Sequence, residues 1–218
     1  MKPIATDTND FPSLRRDGKI YVDKTEYVHR MVSDANTRLF FISRPRRFGK
    51  SLTLSVLKAI FSGRRELFEG LYIDKTDWKW EKYPIIHFEF NDVTTTSLSD
   101  FETSFAIRFL LMTGISKFTR LSVFSALSNI VDVSQKDEFA TMFGYTEEEL
   151  EANFDEHLRA HAEKMGKSYE NYREEMKKWY NGYAEPYIAD GRPIWLIGLS
   201  FDSKSRRLVD CAACDWRS

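Results

Sequence analysis

An α/β fold, with a mostly parallel sheet flanked by helices, is what this sequence predicts, on three observations. The short apolar run "RLFFIS" (38–43) leads through a basic loop into the apolar-rich "KSLTLSVLKAIF" (50–61), and strand, loop, helix is the order of a βαβ unit. A later run, "IRFLLMTGIS" (107–116), is apolar without alternation, which suits a strand covered on both faces. After Asp137 the pattern changes to two long helical segments, which read as an appendage.

The elements follow in chain order. "RLFFIS" is rich in strand formers, and 44–49 is a loop. Leu54, Leu57 and Phe61 recur at three- and four-residue intervals with Leu52, Val56 and Ile60 beside them, the pattern of a helix buried over much of its surface. Pro84 opens a second strand, "IIHFEFND" (85–92), and "SLSD" before Phe101 reads as a helix start. "IRFLLMTGIS" is a third strand, with "RLSVFSAL" (120–127) close behind. "YTEEELEANFDEHLRAHAEKMG" (145–166) and "SYENYREEMKKWYNGY" (168–183) each begin with Thr or Ser followed three residues later by Glu or Asn, and each ends near a glycine. "PIWLIGLSFDSKSRRLVDC" (193–211) reads as two strands joined by a polar turn, a β-hairpin. The division expected is a core over 1–140, a helical appendage over 141–185 and a hairpin over 186–218.

Bulk properties narrow the function classes. The chain has 218 residues, a formal net charge of -1 and 30% charged residues, ordinary for a globular protein and long enough to bury a core. Basic residues cluster at Arg15–Arg16, Arg44–Lys50, Arg64–Arg65 and Lys204–Arg207. Such clusters ordinarily form solvated faces, and the balanced net charge places nucleic-acid binding last among the functional readings. Cys211 and Cys214 lack the second ligand pair of a zinc site and read as ordinary thiols. No apolar h-region stands at the N-terminus, and no apolar stretch approaches the ~20 residues that cross a bilayer. The expectation is a cytoplasmic protein without membrane association.

The chemistry concentrates in "SRPRRFGKS" (43–51). A phosphate-binding loop gathers backbone N–H groups at a helix N-terminus, where the helix dipole adds partial positive charge. Gly49 would let the backbone approach the phosphate, Lys50 would reach the β- and γ-phosphate oxygens, and the Ser51 hydroxyl would complete a Mg²⁺ shell. The usual pattern opens with glycine, whereas this chain has Arg44, followed by Pro45, whose ring pre-sets φ. The stretch Phe48 to Leu52 would bind ATP or ADP, and Arg46 and Arg47 suit phosphate oxygens through their guanidinium forks.

"IYVDKTEYVHRMV", "LFFISRPRRFGKSLTLSVLKAIFSGRRELFEGLYI", "YPIIHFEF", "LMTGISKFTRLSVFSALSNIVDVS", "FGYTEEEL" and "WYNGY" together resemble the AAA-ATPase-like family of bacterial proteins. The resemblance implies a P-loop NTPase-like fold, with ATP and Mg²⁺ as ligands, and makes Arg44 the expected residue at the loop's opening. It places a polar sensor near Thr113, Ser116 and Lys117. Members often carry a C-terminal nuclease domain with a D…E-x-K site; here 193–211 looks like the terminal hairpin of such a domain, without the site.

The resemblance also implies an acidic strand, roughly "LIDEYD", that holds Mg²⁺ and positions water. In this chain "DFETSFAIRFLLMTGIS" (100–116) leaves no room for it. Glu89 and Asp92 are the nearest replacements. The leading reading is therefore an ATP-binding protein with weak or no hydrolysis. The alternatives are a non-catalytic interaction remnant that meets a protein partner through its helical appendage, and a nucleic-acid-binding module.

Overall fold

The computed structural model describes residues 1–5, 8–44, 48–87, 110–114, 130–134 and 136–180. Strand β1 (Leu39–Ser43) lies at the centre of a parallel sheet, between β2 (Leu110–Gly114) and β3 (Val131–Asp132). β1 and β2 run in register from Leu39 opposite Leu110 to Ser43 opposite Gly114, and Phe40 and Phe41 face Val131 and Asp132. Three consecutive residues of β1, Phe40, Phe41 and Ile42, are buried, as expected when both faces of a strand are covered.

Helix α1 (Phe11–Arg16) begins where the Asp10 carboxylate accepts the Ser13 N–H, with a proline in its first turn. It drives Phe11 into the core, against Phe68 and Tyr21 with ring centroids 4.8 and 4.9 Å away. Helix α2 (Thr25–Ser33) buries Thr25, Val28 and Met31, spaced three apart. Helix α3 (Lys50–Phe61) follows β1 and buries Val56, Leu57, Ala59 and Ile60. Two 3-10 turns, Arg65–Phe68 and Tyr72–Lys75, fold back across α1 and α2.

The basic pairs outside the loop are largely engaged within the fold. Arg15 donates to the carbonyls of Leu67 and Glu69, both at 2.7 Å. Arg64 pairs with Glu66 and Arg65 with Asp74. Arg15 thus ties α1 to the first 3-10 turn, whereas Arg16 and Arg65 stay exposed, as a solvated face requires.

The second strand departs from expectation. Residues 84–87 carry no strand, and 88–92 lie outside the described residues. Tyr83 N–H is bonded instead to the Phe61 carbonyl at the end of α3, at 2.8 Å, and Ile86 is 60% exposed. Local strand propensity needs a neighbouring strand to become a sheet, and Ile85 and Ile86 are exposed.

Helices α4 (Glu147–Lys164) and α5 (Tyr169–Tyr180) match the two expected segments. Thr146 and Glu149 form a reciprocal capping box at the start of α4, and Asn171 N–H is bonded to the Ser168 hydroxyl at the start of α5. Their contact buries Leu150, Phe154, Leu158, Ala162, Tyr172 and Met176, closed by Val22 from the N-terminal segment. This cluster is separate from the one around the sheet. Lys24 joins them: its ammonium lies 2.5 and 2.7 Å from the Glu149 carboxylate oxygens and 2.6 Å from the Thr141 carbonyl. Burial lowers the pKa of Lys24 from its ordinary value, and the Glu149 carboxylate opposes that shift. No helix among the described residues is long and apolar enough to cross a membrane. The hairpin expected over 193–211, with Cys211 and Cys214, lies outside the described residues, as does the helix start before Phe101.

Candidate functional site

The candidate site forms where the central strand of a parallel sheet ends and the next helix begins. β1 stops at Ser43, Arg44 turns inward and is 8% exposed, and Pro45, Arg46 and Arg47 lie outside the described residues. The chain is described again at Phe48, which is buried in the main core and anchors the far end of the loop.

Gly49 then makes the turn into α3, with φ 82° and ψ 12°. This left-handed conformation costs an L-residue roughly 1–2 kcal/mol, which glycine escapes. Among the described residues, its two chain neighbours aside, no atom lies within 4 Å of where a Cβ on Gly49 would stand.

An α-helix offers the N–H groups of its first turn no carbonyl of its own. Among the described residues of α3, the Thr53 N–H is bonded to the Gly49 carbonyl at 2.9 Å, and the Thr53 hydroxyl reaches the same oxygen at 3.1 Å. The N–H groups of Lys50, Ser51 and Leu52 precede it, at the positive end of the helix dipole. Ser51 is exposed, while Leu52 is half-buried against the core. The Lys50 ammonium donates to the Arg44 carbonyl at 2.7 Å and so closes the loop back on itself.

Thr113 stands on β2 directly beside Ile42, one residue before the strand end, and is half-buried. The parallel register therefore brings Thr113 and the loop to the same edge of the sheet. Ser116, Lys117, Glu89 and Asp92 lie outside the described residues. Among the described residues no group of three or more His, Cys, Asp or Glu side chains is arranged to hold a metal.

Two sets of contacts at this edge are not foreseen from sequence. On one side, Ser134, just past β3, accepts the Ser43 N–H on its hydroxyl at 2.7 Å and the Arg44 guanidinium on its carbonyl at 2.5 Å. The Ser134 N–H is in turn bonded to Asp132 at 2.8 Å. On the other side, Ser55, one turn along α3 from Ser51, accepts the Phe11 N–H at 2.9 Å and lies 3.4 Å from the Asp10 carboxylate. Hydrogen bonding to Ser13 holds the Asp10 pKa below its ordinary value. The "NDFP" sequence carries a helix-start signal that marks Asp10; no comparable local pattern marks Ser134.

Comparison with known proteins places this edge in a family context. Residues 3–106 match the family described as Predicted AAA-ATPase, a stretch that includes β1, the loop and α3. A protein of Azotobacter chroococcum mcd 1, named "Uncharacterized protein in vnfD 5'region", is 25% identical over 262 residues, covering 83% of this chain and 48% of that protein. The chain thus spans about half the length of the curated relative it matches. The aligned stretch is also longer than this 218-residue chain, so part of it lies opposite gaps here. No solved structure matches.

Proposed function

From the match of residues 3–106 to the predicted AAA-ATPase family, we propose that this chain is a P-loop protein that binds ATP with Mg²⁺ at the head of α3. The observation that carries the reading is the left-handed Gly49 at the N-terminus of a helix packed on the core, with Lys50 beside it.

In this reading the N–H groups of Gly49 to Leu52 hold phosphate oxygens, and Lys50 exchanges the Arg44 carbonyl for the β- and γ-phosphates. Phe48 and Leu52 keep the turn seated on the core. Arg46 and Arg47 clamp phosphate oxygens, and Thr113 contributes its hydroxyl from the adjoining strand. Ser51 holds Mg²⁺, which neutralises phosphate charge when bound and takes most of its other donors from phosphates and water. The exposed Ser51 hydroxyl fits that donor set.

Hydrolysis is proposed to be weak or absent, because the run 100–116 leaves no room for the acidic strand that positions water. A positioned general base contributes about 10²–10⁴-fold in rate, and Glu89 and Asp92 are only the nearest carboxylates in sequence to the missing strand. The gapped alignment with the Azotobacter relative supports internal shortening. The proposed division is a nucleotide-binding core over 1–140, a helical appendage over 141–185 and a terminal segment over 186–218.

Isothermal calorimetry with Mg²⁺-ATP tests the reading, wild type against Lys50→Ala. Binding that is lost or weakened at least about tenfold in the variant is expected, since a charge-assisted contact to phosphate disappears. Wild-type protein that binds no nucleotide would overturn it.

A further inference from the structure

We propose that Arg44 is a positioning residue for Lys50, a role that rests on the nucleotide-binding reading above. Arg44 stands where a phosphate-binding loop usually opens with glycine, and its side chain is neither exposed nor directed to solvent: the residue is 8% exposed. Its guanidinium donates to the carbonyl of Ser134, a residue that is itself 2% exposed and that also receives the Ser43 N–H. Two bonds thus fasten the end of β1 to the turn after β3, one through the backbone of Ser43 and one through the side chain of Arg44.

The consequence falls on the other face of the same residue. With its side chain anchored, the Arg44 carbonyl is held where it accepts the Lys50 ammonium at 2.7 Å. Lys50 has a long, rotatable stem whose ordering costs rotamer entropy. A fixed carbonyl acceptor holds that ammonium in place before any ligand arrives, so less ordering remains when phosphate replaces the carbonyl. A glycine at position 44 would supply the same carbonyl without the anchor. Arg44 therefore acts through Lys50.

The test compares full-length wild type with Arg44→Met, which keeps the stem and removes the guanidinium, and Arg44→Lys, which keeps a cation and a donor. Two quantities are read. The first is the Kd for Mg²⁺-ATP by calorimetry: Arg44→Met is expected to weaken binding about tenfold, the scale of one lost charge-assisted hydrogen bond, and Arg44→Lys to recover most of it. The second is the Lys50 ammonium signal in nucleotide-free, ¹⁵N-lysine-labelled protein, assigned by its absence in Lys50→Ala. It should be visible in wild type and Arg44→Lys and lost to solvent exchange in Arg44→Met, a change that a general loss of packing at comparable Tm does not produce.

Should Arg44→Met not fold, Arg44→Gln is read against the same two criteria. Wild-type affinity together with a retained Lys50 signal in the folded variant overturns the proposal. A Lys50 signal that depends on Arg44 in a protein that binds no ATP would instead sink the nucleotide reading and leave the Arg44–Lys50 contact standing.

Discussion

Replacing Gly49 with alanine separates the cost of a strained turn from the cost of an obstructed site. At φ 82° the new side chain must adopt the left-handed region, which costs roughly 1–2 kcal/mol. Among the described residues no steric term adds to this, because, chain neighbours aside, none has an atom within 4 Å of the added Cβ. For a protein of this size each kcal/mol lowers Tm by roughly 2–4 °C, so Gly49→Ala should melt about 2–8 °C below wild type. Gly63→Ala is the control. There φ is +67°, and the new Cβ would stand 2.8 Å from the Trp80 carbonyl oxygen and 3.1 Å from the Lys82 Cγ. Backbone strain and a clash with backbone then add, and the loss should exceed about 3 kcal/mol. The two variants should rank in the opposite order for nucleotide binding. Gly49→Ala, folded and only mildly destabilised, should lose at least about tenfold in Mg²⁺-ATP affinity because its methyl group borders the first-turn N–H groups. Circular dichroism melts and calorimetry read both effects. Equal destabilisation by the two substitutions, or a Gly49→Ala protein with wild-type affinity, would refute the reasoning.

Other outcomes follow from contacts away from the loop. Lys24→Met should destabilise the protein by about 2–4 kcal/mol, because it leaves the partly buried Glu149 carboxylate without its cation; the double variant with Glu149→Met should recover part of the loss, and a purely additive double variant in thermal denaturation would contradict this. The pairing of α4 with α5 should weaken in acid through Asp155, which accepts from Arg159 at 2.7 Å and from the Tyr169 hydroxyl at 2.5 Å. The Arg159 bond first, and then the Tyr169 bond, lower its pKa below the ordinary 3.8, so its stabilising contribution is present in full above about pH 3.8 and is lost as pH falls through the lower folded value. The stability difference between wild type and Asp155→Asn should therefore close below that pH, as followed by urea titrations across the range, and a gap that stayed constant down to strong acid would count against the assignment.

The parts of the fold that were legible in the sequence are those decided within a few residues. Helix α3 announces itself through apolar spacing and its glycine start, and the Thr146–Glu149 box marks the head of α4. β1 and β2 stand within the apolar runs that predicted them. What the sequence concealed depends on distant partners. α1 is only six residues long, and Phe11 is buried because Phe68 and Tyr21 come to meet it. Ile85 and Ile86 have strand propensity, yet 84–87 carry no strand, because Tyr83 is bonded at the end of α3. The same holds for the site. Gly49, Lys50 and Ser51 are recognisable from local pattern, whereas the bond between Arg44 and Ser134 spans a separation of 90 residues and leaves no periodic trace.

The most direct measurement is thermal melting of full-length wild type and Lys50→Ala with and without Mg²⁺-ATP. At a nucleotide concentration of about 100 times Kd, binding to the folded state alone adds about 2.7 kcal/mol, which corresponds to a rise of about 5–10 °C in Tm for a protein of this size. That rise is expected in wild type and not in Lys50→Ala; the same melting temperature with and without nucleotide in the wild-type protein would contradict a phosphate-binding loop at the head of α3.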